Sequence, residues 1–452
     1  MSSIDEVVAN LRLITYVDEN VEAYLHDETP KDVAPKPNKN VVVVKPSSVE
    51  EVSKIVSYAN KYGIPIVVRG GGTGLSGGAV PIKPSIVISM ERLNRILEVD
   101  TKNLTITCEA GVTLRELIEA AEKVGLSFPP HPGDESATVG GMISTNAGGV
   151  RAVKYGVMRN YVLGLEVVLP NGEILKLGGK VIKNVSGYNL MHLIIGSEGT
   201  LCIVTKAIIR ILPKSKKNYT LVIPFESEND AIESVSRILS ILTPLAIEYI
   251  EVDAIKYGEK VTGKKWVSKD GKAHLMLIIE AKDEDELIEI AEKIEKACEN
   301  PLNIFVASSI KEQKDLLEIR SMFYEGLKDE IIDIMDVSIP TANIPEYLRR
   351  CNKIAKNLGL KIVTYGHAGD GNVHQHPLKC EDGKEKYEKF KREAFKIAKE
   401  LGGFITGEHG VGFVKKKNLA EFLSQSELEL MKGIKKLFDP NGIMNPGKVI
   451  DA

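Results

Sequence analysis

A glycine-rich stretch constrains the fold of this chain more than any other feature of its sequence. Residues 69–78 read RGGGTGLSGG and follow a strand-like run rich in β-branched residues. The stretch contains the spacing G-x-G-x-x-G at Gly72, Gly74 and Gly77, but a dinucleotide-binding motif also requires a helix to begin inside it. Residues 79–90 contain two prolines and instead predict a loop and then a strand. We therefore reject a Rossmann fold and expect a nest of backbone N–H groups that holds a pyrophosphate.

Two later stretches share this character. Residues 129–149 are built mainly from Gly, Ser, Thr, Ala and Pro, and residues 195–204 begin with IGSEGT. We predict both as loops, the second of which ends in a strand. Glycine lets a backbone approach a ligand closely, and the hydroxyl and amide side chains supply single hydrogen bonds. Because all three stretches fall between residues 69 and 204, they indicate one extended ligand rather than three separate sites.

The pattern changes after Pro213, where strands and helices alternate in a way typical of an α+β domain with antiparallel strands. We predict an N-terminal helix and linker at residues 1–37, a first domain at 38–213, and a second domain at 214–452 whose tail returns to the first. Residues 1–30 carry a rough apolar stripe that predicts a helix, formed by Ile4, Val7, Val8, Leu11 and Leu13. A helix is also predicted over residues 311–328.

Histidines concentrate in the second domain. Three of the eight, His367, His374 and His376, fall within residues 363–376, where a strand, a Gly/Asp loop and a second strand are predicted. A polar cluster, TGEHG, follows at residues 406–410 and contains Glu408 and His409. Imidazole is the commonest metal ligand in proteins, so a His/His/carboxylate metal site completed by Glu408 is expected. His409 then remains to move a proton.

The overall composition excludes several classes of function. The net charge of −3 over 452 residues offers no bulk attraction to nucleic acid or to an anionic membrane. No apolar run reaches the roughly 20 residues that a membrane-spanning helix needs, and the N-terminus lacks a signal-peptide pattern, so a cytoplasmic location is expected. The five cysteines are scattered without a C-x-x-C motif, which predicts reduced thiols. The sequence leaves both a monomer and an oligomer open.

Eight motifs occur in order along residues 38–450: RGGGTGLSGG, TVGGMISTNAGG, KYGVMRNYVLGLEVVLPNGE, NVSGYNL, IGSEGTLCIVT, GHAGDGNVH, GEHGVG and FDPNGIMNPGK. Together they resemble the flavoprotein family of D-2-hydroxy-acid dehydrogenases, which includes the glycolate oxidase flavoprotein, D-2-hydroxyglutarate dehydrogenase and, as the closest match, the FAD-linked D-lactate dehydrogenases. The resemblance implies an α+β protein with a two-part FAD-binding domain of the vanillyl-alcohol-oxidase/PCMH type at residues 38–213. An α+β, ferredoxin-like substrate cap would follow at 214–452.

The resemblance also implies how FAD is bound. The pyrophosphate would lie in the loop at residues 69–74, and the flavin along 133–149 and beside 198–204. Some relatives attach FAD covalently to a histidine in the first glycine loop, where this chain has Thr73 or Gly74, so non-covalent FAD is expected. The implied FAD contacts are Arg69, Gly70, Gly71, Gly72, Thr73, Gly74, Gly77, Pro132, Gly133, Ser136, Thr138, Gly140, Gly141, Ser144, Asn146, Gly148, Gly149, Tyr155, Glu198, Gly199, Ile203, Val204 and Asn445.

The family's metal ligands match His367, His374 and Glu408. Its catalytic base matches His409, and the arginine that holds the substrate carboxylate matches Arg320. Two imidazoles and one carboxylate suit Zn²⁺, Fe²⁺ or Mn²⁺. By strand alternation His376 shares a face with His374, so it is expected to support the metal site or to replace a ligand.

Oxidation of a hydroxy acid needs a base for the hydroxyl proton and an acceptor for the hydride, and no side chain accepts a hydride. The resemblance implies that the substrate is a small D-2-hydroxy acid, with D-lactate favoured over glycolate and D-2-hydroxyglutarate. The electron acceptor is left open among an electron-transferring flavoprotein, a quinone, a cytochrome and O₂. The alternatives are a redox-neutral flavoenzyme similar to alkyl-dihydroxyacetonephosphate synthase, a non-catalytic electron-relay protein, and a metal-dependent hydrolase.

Overall fold

Two larger β-sheets and one two-stranded sheet form the described N-terminal part of the protein. The structure is a computed structural model that describes residues 4–214, 217–307 and 309–451. The first sheet has the order β1-β2-β4-β3, in which β2, β4 and β3 are parallel, and the second has the antiparallel order β5-β6-β10-β8-β9. The strands are β1 (Tyr16–Asp18), β2 (Val41–Lys45), β3 (Ile66–Arg69), β4 (Ser85–Ser89), β5 (Ile96–Asp100), β6 (Thr105–Glu109), β7 (Leu126–Ser127), β8 (Val162–Val168), β9 (Ile174–Gly178), β10 (Ile203–Arg210) and β11 (Leu212–Pro213).

Six α-helices accompany these sheets: α1 (Ile4–Arg12), α2 (Val49–Tyr62), α3 (Leu114–Glu122), α4 (Val139–Thr145), α5 (Ala152–Tyr155) and α6 (Leu190–Ile194). Helix α2 shows how the sequence sets its ends. The Ser48 hydroxyl caps its first turn by accepting a hydrogen bond from Glu51 N, and Gly63 ends it at φ +63°. The strand–helix–strand unit expected before the first glycine loop is therefore present, and the chain runs from β3 through that loop directly into β4, without a helix.

The prediction of a helix over residues 1–30 is correct only for its first part. Helix α1 buries Val7 and Leu11 in the core of the first domain and ends at Arg12, whereas Leu13 is 87% exposed. The chain then pairs with β2, and the Thr15 hydroxyl donates to Lys45 O at 3.2 Å. Pairing with a neighbouring strand overrides the apolar stripe here, as tertiary contacts commonly do with weak helical patterns.

The prediction that residues 129–149 form a loop throughout is also wrong, because the stretch contains helix α4. Thr138 caps α4 by accepting a hydrogen bond from Gly141 N at 3.3 Å, and Asn146 ends it in the left-handed region at φ +51°. Two glycines in the first turn have low helix propensity, so propensity alone does not predict this helix. Burial of Met142 and Ile143 in the core stabilises it instead.

A seven-stranded antiparallel sheet organises the C-terminal part, with the order β15-β12-β14-β13-β17-β18-β16. Its strands are β12 (Asn218–Phe225), β13 (Ala246–Glu251), β14 (Ala273–Glu280), β15 (Phe305–Ala307), β16 (Met335–Ser338), β17 (Ile362–His367) and β18 (Asn372–Pro377). The helices are α7 (Glu228–Ile241), α8 (Val252–Thr262), α9 (Glu284–Ala297), α10 (Ile310–Ser321), α11 (Phe323–Leu327), α12 (Ile344–Leu358), α13 (Gly383–Glu400), α14 (Lys416–Phe422) and α15 (Gln425–Phe438).

The order β15-β12-β14-β13 is that of a ferredoxin-like βαββαβ unit. The remaining strands repeat it, because β16, α12, β17, β18 and α13 follow in the same sequence of elements. A fourth strand of this second unit is reduced to bridges, in which Phe404 and Ser338 exchange backbone hydrogen bonds at 2.8 and 3.1 Å. No internal repeat is recognisable in the amino-acid sequence. The duplication is therefore visible only in the arrangement of the strands.

The predicted helix over residues 311–328 is two helices, α10 and α11, which meet at Met322. Helices α7, α9, α12 and α13 cover one face of the large sheet. Helices α8, α10 and α11 cover only part of the other face, and the remainder faces the first domain. Within the described ranges, no helix combines the length and apolar character that would let it cross a membrane.

The end of the chain returns to the first domain. Ile66 N donates to Ile443 O at 2.7 Å, and Asn445 N donates to Ile66 O at 2.8 Å. Ile443 and Met444 are buried in the core of that domain. The buried Lys448 ammonium donates to Val80 O at 2.6 Å. The tail is thereby attached to β3 and to the segment that follows the first glycine loop.

Candidate active site

A cleft of about 1060 Å³ separates the first domain from the free part of the large sheet. One wall consists of the glycine loop at 70–75, the segment 131–151 and the loop 198–204. The opposite wall consists of side chains from β14, β17, β18 and α10, together with the loop that carries Glu408 and His409. The three glycine-rich stretches and both histidine-bearing loops predicted from the sequence therefore meet at a single cleft.

Two of the glycine-rich segments pack backbone against backbone. A Cβ atom placed on Gly70 would lie 2.2 Å from Thr138 Oγ1, and one on Gly71 would lie 2.6 Å from Ser136 O. Gly72 adopts φ +76°, which favours glycine. Larger residues would push this loop away from residues 136–138. The glycines therefore leave a wall of backbone along the cleft, with room for an extended ligand.

Asn445 connects the first and third glycine loops. Its Nδ2 donates to Gly78 O and to Glu198 O, both at 3.0 Å. Its Oδ1 is buried and has no hydrogen-bond partner among the described residues. A buried acceptor without a partner is costly, and this one lies on a residue that lines the cleft. It suits a cofactor that brings a donor.

The Glu198 side chain forms hydrogen bonds with the second domain. Its carboxylate accepts hydrogen bonds from Val411 N at 2.7 Å and from Gly412 N at 2.8 Å. Burial raises the pKa of Glu198, although these two N–H groups act in the opposite direction. The residue predicted to contact FAD thus also attaches the 406–412 loop to the first domain.

The cleft brings together most of the residues expected to contact FAD, namely Gly70, Gly71, Gly72, Thr73, Gly74, Pro132, Gly133, Thr138, Gly140, Gly141, Ser144, Gly148, Gly149, Glu198, Gly199, Ile203, Val204 and Asn445.

The remaining five do not line the cleft. Arg69 Nη1 donates to His26 O at 2.6 Å, behind the first loop, and Gly77 N donates to Thr29 Oγ1 at 2.6 Å. The Ser136 hydroxyl donates to Asp134 at 2.7 Å, Asn146 Oδ1 accepts from Arg159 N at 3.0 Å, and Tyr155 packs beside the core.

The expected metal ligands lie together at the cap side of the cleft. Glu408 Oε1 is 3.4 Å from His367 Nε2 and 3.3 Å from His374 Nε2. Two ligands of a tetrahedral ion with bonds of roughly 2.0–2.1 Å are separated by about 3.3 Å. The donor types and both spacings therefore fit a divalent metal ion.

The charges within this group favour an ionised carboxylate. Burial opposes ionisation of Glu408, but the adjacent His367 and His374 hold the pKa of Glu408 well below its ordinary value. Burial lowers the pKa of His367, whereas Glu248 and Glu408 raise it, and the net result is a pKa well above the ordinary one. Glu408 is thus expected to carry its negative charge at neutral pH.

Glu248 on β13 is a site residue that no sequence motif pointed to. It is fully buried, and its Oε1 lies 2.6 Å from His367 Nδ1. Its Oε2 accepts a hydrogen bond from Arg320 Nε at 2.7 Å. Arg320 Nη2 also touches this oxygen but makes no well-aligned hydrogen bond. One carboxylate therefore orients both an expected metal ligand and the expected substrate-binding arginine.

Arg320 projects from α10 into the cleft. Its guanidinium lies 4.7 Å from the ring centroid of Tyr365, a cation–π distance. Tyr365 on β17 pairs directly with His374 on β18. The arginine is thereby held beside the expected metal ligands at the wall of the cleft.

His409 lies beside His374, with ring centroids 5.1 Å apart and planes 9° from parallel. Its Nε2 is 3.8 Å from Glu408 Oε1, and its Nδ1 is 3.8 Å from Asp336 Oδ2. Burial lowers the pKa of His409 to about 4, even though Asp336 acts to raise it. His409 is therefore neutral at pH 7 and able to accept a proton.

His376 lies on the same face of β18 but outside the group of close ligand atoms. Its ring stacks on Tyr365 at 4.4 Å, and its Nδ1 is 3.2 Å from Val363 O. Burial lowers the pKa of His376 well below its ordinary value. His376 supports Tyr365 and, in this arrangement, does not replace a metal ligand.

Two sequence families match this chain. The FAD binding domain matches residues 41–178, and the C-terminal domain of FAD linked oxidases matches residues 214–449. The structure is similar to that of p-cresol methylhydroxylase, with a TM-score of 0.79, 17% sequence identity, and coverage of 99% of this chain and 97% of the other. The likeness confirms the predicted fold, a PCMH-type FAD-binding fold with a cap.

Whole-length relatives carry related names. A D-lactate dehydrogenase of Archaeoglobus fulgidus is 51% identical over 451 residues, covering 100% of this chain and 99% of the relative. Glycolate oxidase subunit GlcD of Bacillus subtilis is 38% identical and covers 90% of this chain and 88% of its own length. With both family models and full-length relatives in agreement, the chain belongs to the FAD-linked D-2-hydroxy-acid dehydrogenases, a family of flavin-dependent oxidoreductases.

Proposed function

We propose that this protein oxidises D-lactate to pyruvate with a His base and a divalent metal ion. The observation that carries the proposal is the position of Glu408, whose Oε1 lies within 3.4 Å of the Nε2 atoms of His367 and His374 and 3.8 Å from that of His409. A flavoprotein that only relays electrons would not need such a group. D-lactate is the favoured substrate because relatives at 51% and 38% identity are named D-lactate dehydrogenase.

In this proposal residues 38–213 form the FAD-binding domain and residues 214–452 form the substrate cap. The backbone wall made by Gly70, Gly71 and the 136–138 segment, together with Asn445, would hold FAD without a covalent bond. Bound FAD supplies the hydride acceptor that no side chain provides. The residues of the cleft would bind and orient FAD and the substrate, and would exclude water from the reacting groups.

His367, His374 and Glu408 would hold the metal ion. A divalent ion bound by these residues would supply Lewis-acid chemistry, which lowers the pKa of a hydroxyl group. Two imidazoles and a carboxylate are compatible with Zn²⁺, Fe²⁺ or Mn²⁺. His367 is already oriented for this role, because Glu248 holds its Nδ1 at 2.6 Å and leaves Nε2 towards Glu408.

Arg320 would pair with the substrate carboxylate, because this residue lines the cleft beside the proposed metal ligands. His409 Nε2 would take the proton of the C2 hydroxyl. The charge that forms on the imidazole would be stabilised by Asp336, whose Oδ2 lies 3.8 Å from His409 Nδ1. Arg320 and His409 thus bind the substrate and move its proton.

The proposal is tested by mixing FAD-loaded protein anaerobically with D-lactate, L-lactate, glycolate or D-2-hydroxyglutarate and following the flavin absorbance. We expect D-lactate to bleach the flavin fastest and to release pyruvate, with L-lactate inactive. If only another D-hydroxy acid bleached the flavin, that acid would replace D-lactate as the assigned substrate. An FAD-loaded protein that no hydroxy acid bleaches would contradict the dehydrogenase proposal and favour redox-neutral chemistry.

A further inference from the structure

Asp336 is a buried carboxylate on β16 that makes an unusual set of hydrogen bonds. Its Oδ2 accepts from three successive backbone N–H groups, those of Gly407, Glu408 and His409, at 3.1, 3.2 and 2.9 Å. The side chain is fully buried. Successive N–H groups that converge on one anion form a nest. In this protein the anion in the nest is a side chain of the neighbouring strand.

The carboxylate has further partners. The Thr406 hydroxyl donates to Oδ2 at 2.7 Å, and Lys415 Nζ lies 3.4 Å from the same oxygen. Asn372 Nδ2 donates to Oδ1 at 2.7 Å. Both oxygens of the carboxylate therefore have hydrogen-bond donors.

The segment that Asp336 holds is an irregular loop, whose far end is held by Ser76 and Glu198 through the backbone of residues 409–412. It follows the short bridge between Phe404 and Ser338, and Gly410 turns it at φ +80°. Asp336 also lies directly opposite His374 in the register of β16 and β18. One carboxylate thus joins the strand that carries a metal-ligand histidine to the loop that carries Glu408 and His409.

A metal-binding role for Asp336 itself is a competing interpretation, because Asp336, His374 and His409 offer ligand atoms within 4.8 Å of one another. Two observations argue against it. Five donors already converge on Oδ2, which exceeds the lone pairs that one carboxylate oxygen offers. One of those donors, Lys415, is a cation that would repel a metal ion at this position.

We propose that Asp336 is a positioning residue that sets Glu408 and His409 at their working distances from His374. It acts mainly through the backbone of the loop, beside its direct approach of 3.8 Å to His409 Nδ1, and it does not line the cleft. The expected loss of activity rests on the proposed function, whereas the expected loosening of the loop does not. Loss of the Asp336 charge would free the loop amides, so that Glu408 would no longer remain 3.3 Å from His374.

The test compares Asp336→Asn with Asp333→Asn in the full-length, FAD-loaded protein. Asp333 is a matched control because it is also buried, and its carboxylate accepts hydrogen bonds from Tyr387 and Ile334 N rather than from the 406–410 loop. For Asp336→Asn we expect faster amide exchange over residues 406–412 and about 10–100-fold weaker Zn²⁺ or Mn²⁺ affinity, the usual range for residues that support metal ligands. The FAD content should stay unchanged.

The kinetic readout separates positioning from general destabilisation. For Asp336→Asn, kcat per reducible flavin should fall while KM for D-lactate stays near the parent value, because Arg320 is held by Glu248. Equal effects of the two substitutions, or an Asp336→Asn protein with parental metal affinity and parental loop exchange, would overturn the proposal.

A milder variant covers the case in which Asp336→Asn does not fold. Thr406→Val removes one donor to Oδ2 and leaves the carboxylate in place, so it should shift loop exchange and metal affinity in the same direction by less. Parental values for Thr406→Val would then overturn the proposal. Amide exchange and metal affinity are measured without substrate. They therefore judge Asp336 even if the parent protein oxidises no hydroxy acid.

Discussion

Glu248 Oε1 lies 2.6 Å from His367 Nδ1, within a fully buried contact. The second oxygen of the same carboxylate accepts a hydrogen bond from Arg320. Burial opposes the charge on Glu248, but Arg320 and His367 hold the pKa of this carboxyl below its ordinary value. The two functions assigned to the cap, metal binding and carboxylate binding, thereby depend on one side chain of β13.

Substitution Glu248→Gln should therefore affect both functions. We expect about 10–100-fold weaker metal affinity, because His367 loses its orienting carboxylate, and a raised KM for D-lactate, because Arg320 loses its anchor. Calorimetric metal titration and steady-state kinetics measure the two effects. Glu251→Gln is the control, since Glu251 is on the same strand but accepts from Thr364 N. A Glu248→Gln protein in which only the metal affinity or only the KM changed would contradict the proposal that Glu248 serves both functions.

His409→Ala should keep both FAD and metal, because His409 is assigned neither as a metal ligand nor as part of the FAD wall. We expect flavin reduction by D-lactate to slow by about 10²–10⁴-fold, the usual contribution of a general base. Anaerobic stopped-flow absorbance measures this rate. The control substitution is His192→Ala, because His192 is exposed and lies in α6 of the first domain. Parental flavin reduction in His409→Ala would remove this residue from the mechanism.

Gly71→Ala should weaken FAD binding. The added methyl would lie 2.6 Å from Ser136 O, a backbone atom that cannot rotate away. The loop would have to move and open the wall of the cleft. The measurement is the flavin-to-protein absorbance ratio after purification, followed by FAD titration of the stripped protein. Gly179→Ala is the control, because a Cβ there meets nothing within 4 Å. Equal FAD content in both variants would contradict the assigned FAD position.

The stability of the cap should depend on pH through Glu251. Burial, the largest cause, and the nearby Glu228 raise the pKa of Glu251 from 4.5 to about 8, although the Thr364 N–H lowers it. The neutral carboxyl therefore contributes stability that is complete below the unfolded value of 4.5 and is lost as the pH rises through about 8. The loss is on the order of 1.4 kcal/mol for each pH unit in that window.

Glu251→Gln imitates the protonated carboxyl, so its Tm should match that of the parent near pH 5 and exceed it increasingly towards pH 9. Thermal unfolding of both proteins over this pH range measures the difference. A Tm difference that is constant with pH would mean that Glu251 ionises in the folded state at its ordinary pKa.

Much of the site follows from residue types that are visible in the sequence. His367, His374, Glu408 and His409 fall in two short polar segments, and the loops that carry them converge as expected. The rejection of a Rossmann fold at residues 69–78 is confirmed, because no helix follows β3 before β4. Glycines and histidines are informative here because the role of each depends on the residue itself. A glycine allows a close approach of the backbone, and a histidine supplies a ligand atom.

The residues that orient the site were not predictable in the same way. Glu248 and Asp336 lie on strands that read AIEYIE and MDVS, where a carboxylate among apolar residues normally indicates a solvent-facing position. Their partners are 119 positions away at His367 and 71 to 73 positions away in the 407–409 loop. Only the bridges between β16 and residues 404–406, and the pairing of β13 with β17, bring these groups together. Helix α4 escaped prediction for a related reason, since packing rather than propensity stabilises it.

Removal of the metal ion tests the central claim most directly. FAD-loaded protein is treated with EDTA, freed of chelator, and mixed anaerobically with D-lactate before and after one equivalent of Zn²⁺, Mn²⁺ or Fe²⁺ is added. We predict that the stripped protein keeps its flavin spectrum but is not bleached. One of the three ions should restore bleaching, with one pyruvate formed for each flavin reduced. Full bleaching of the metal-free protein would contradict the role assigned to His367, His374 and Glu408.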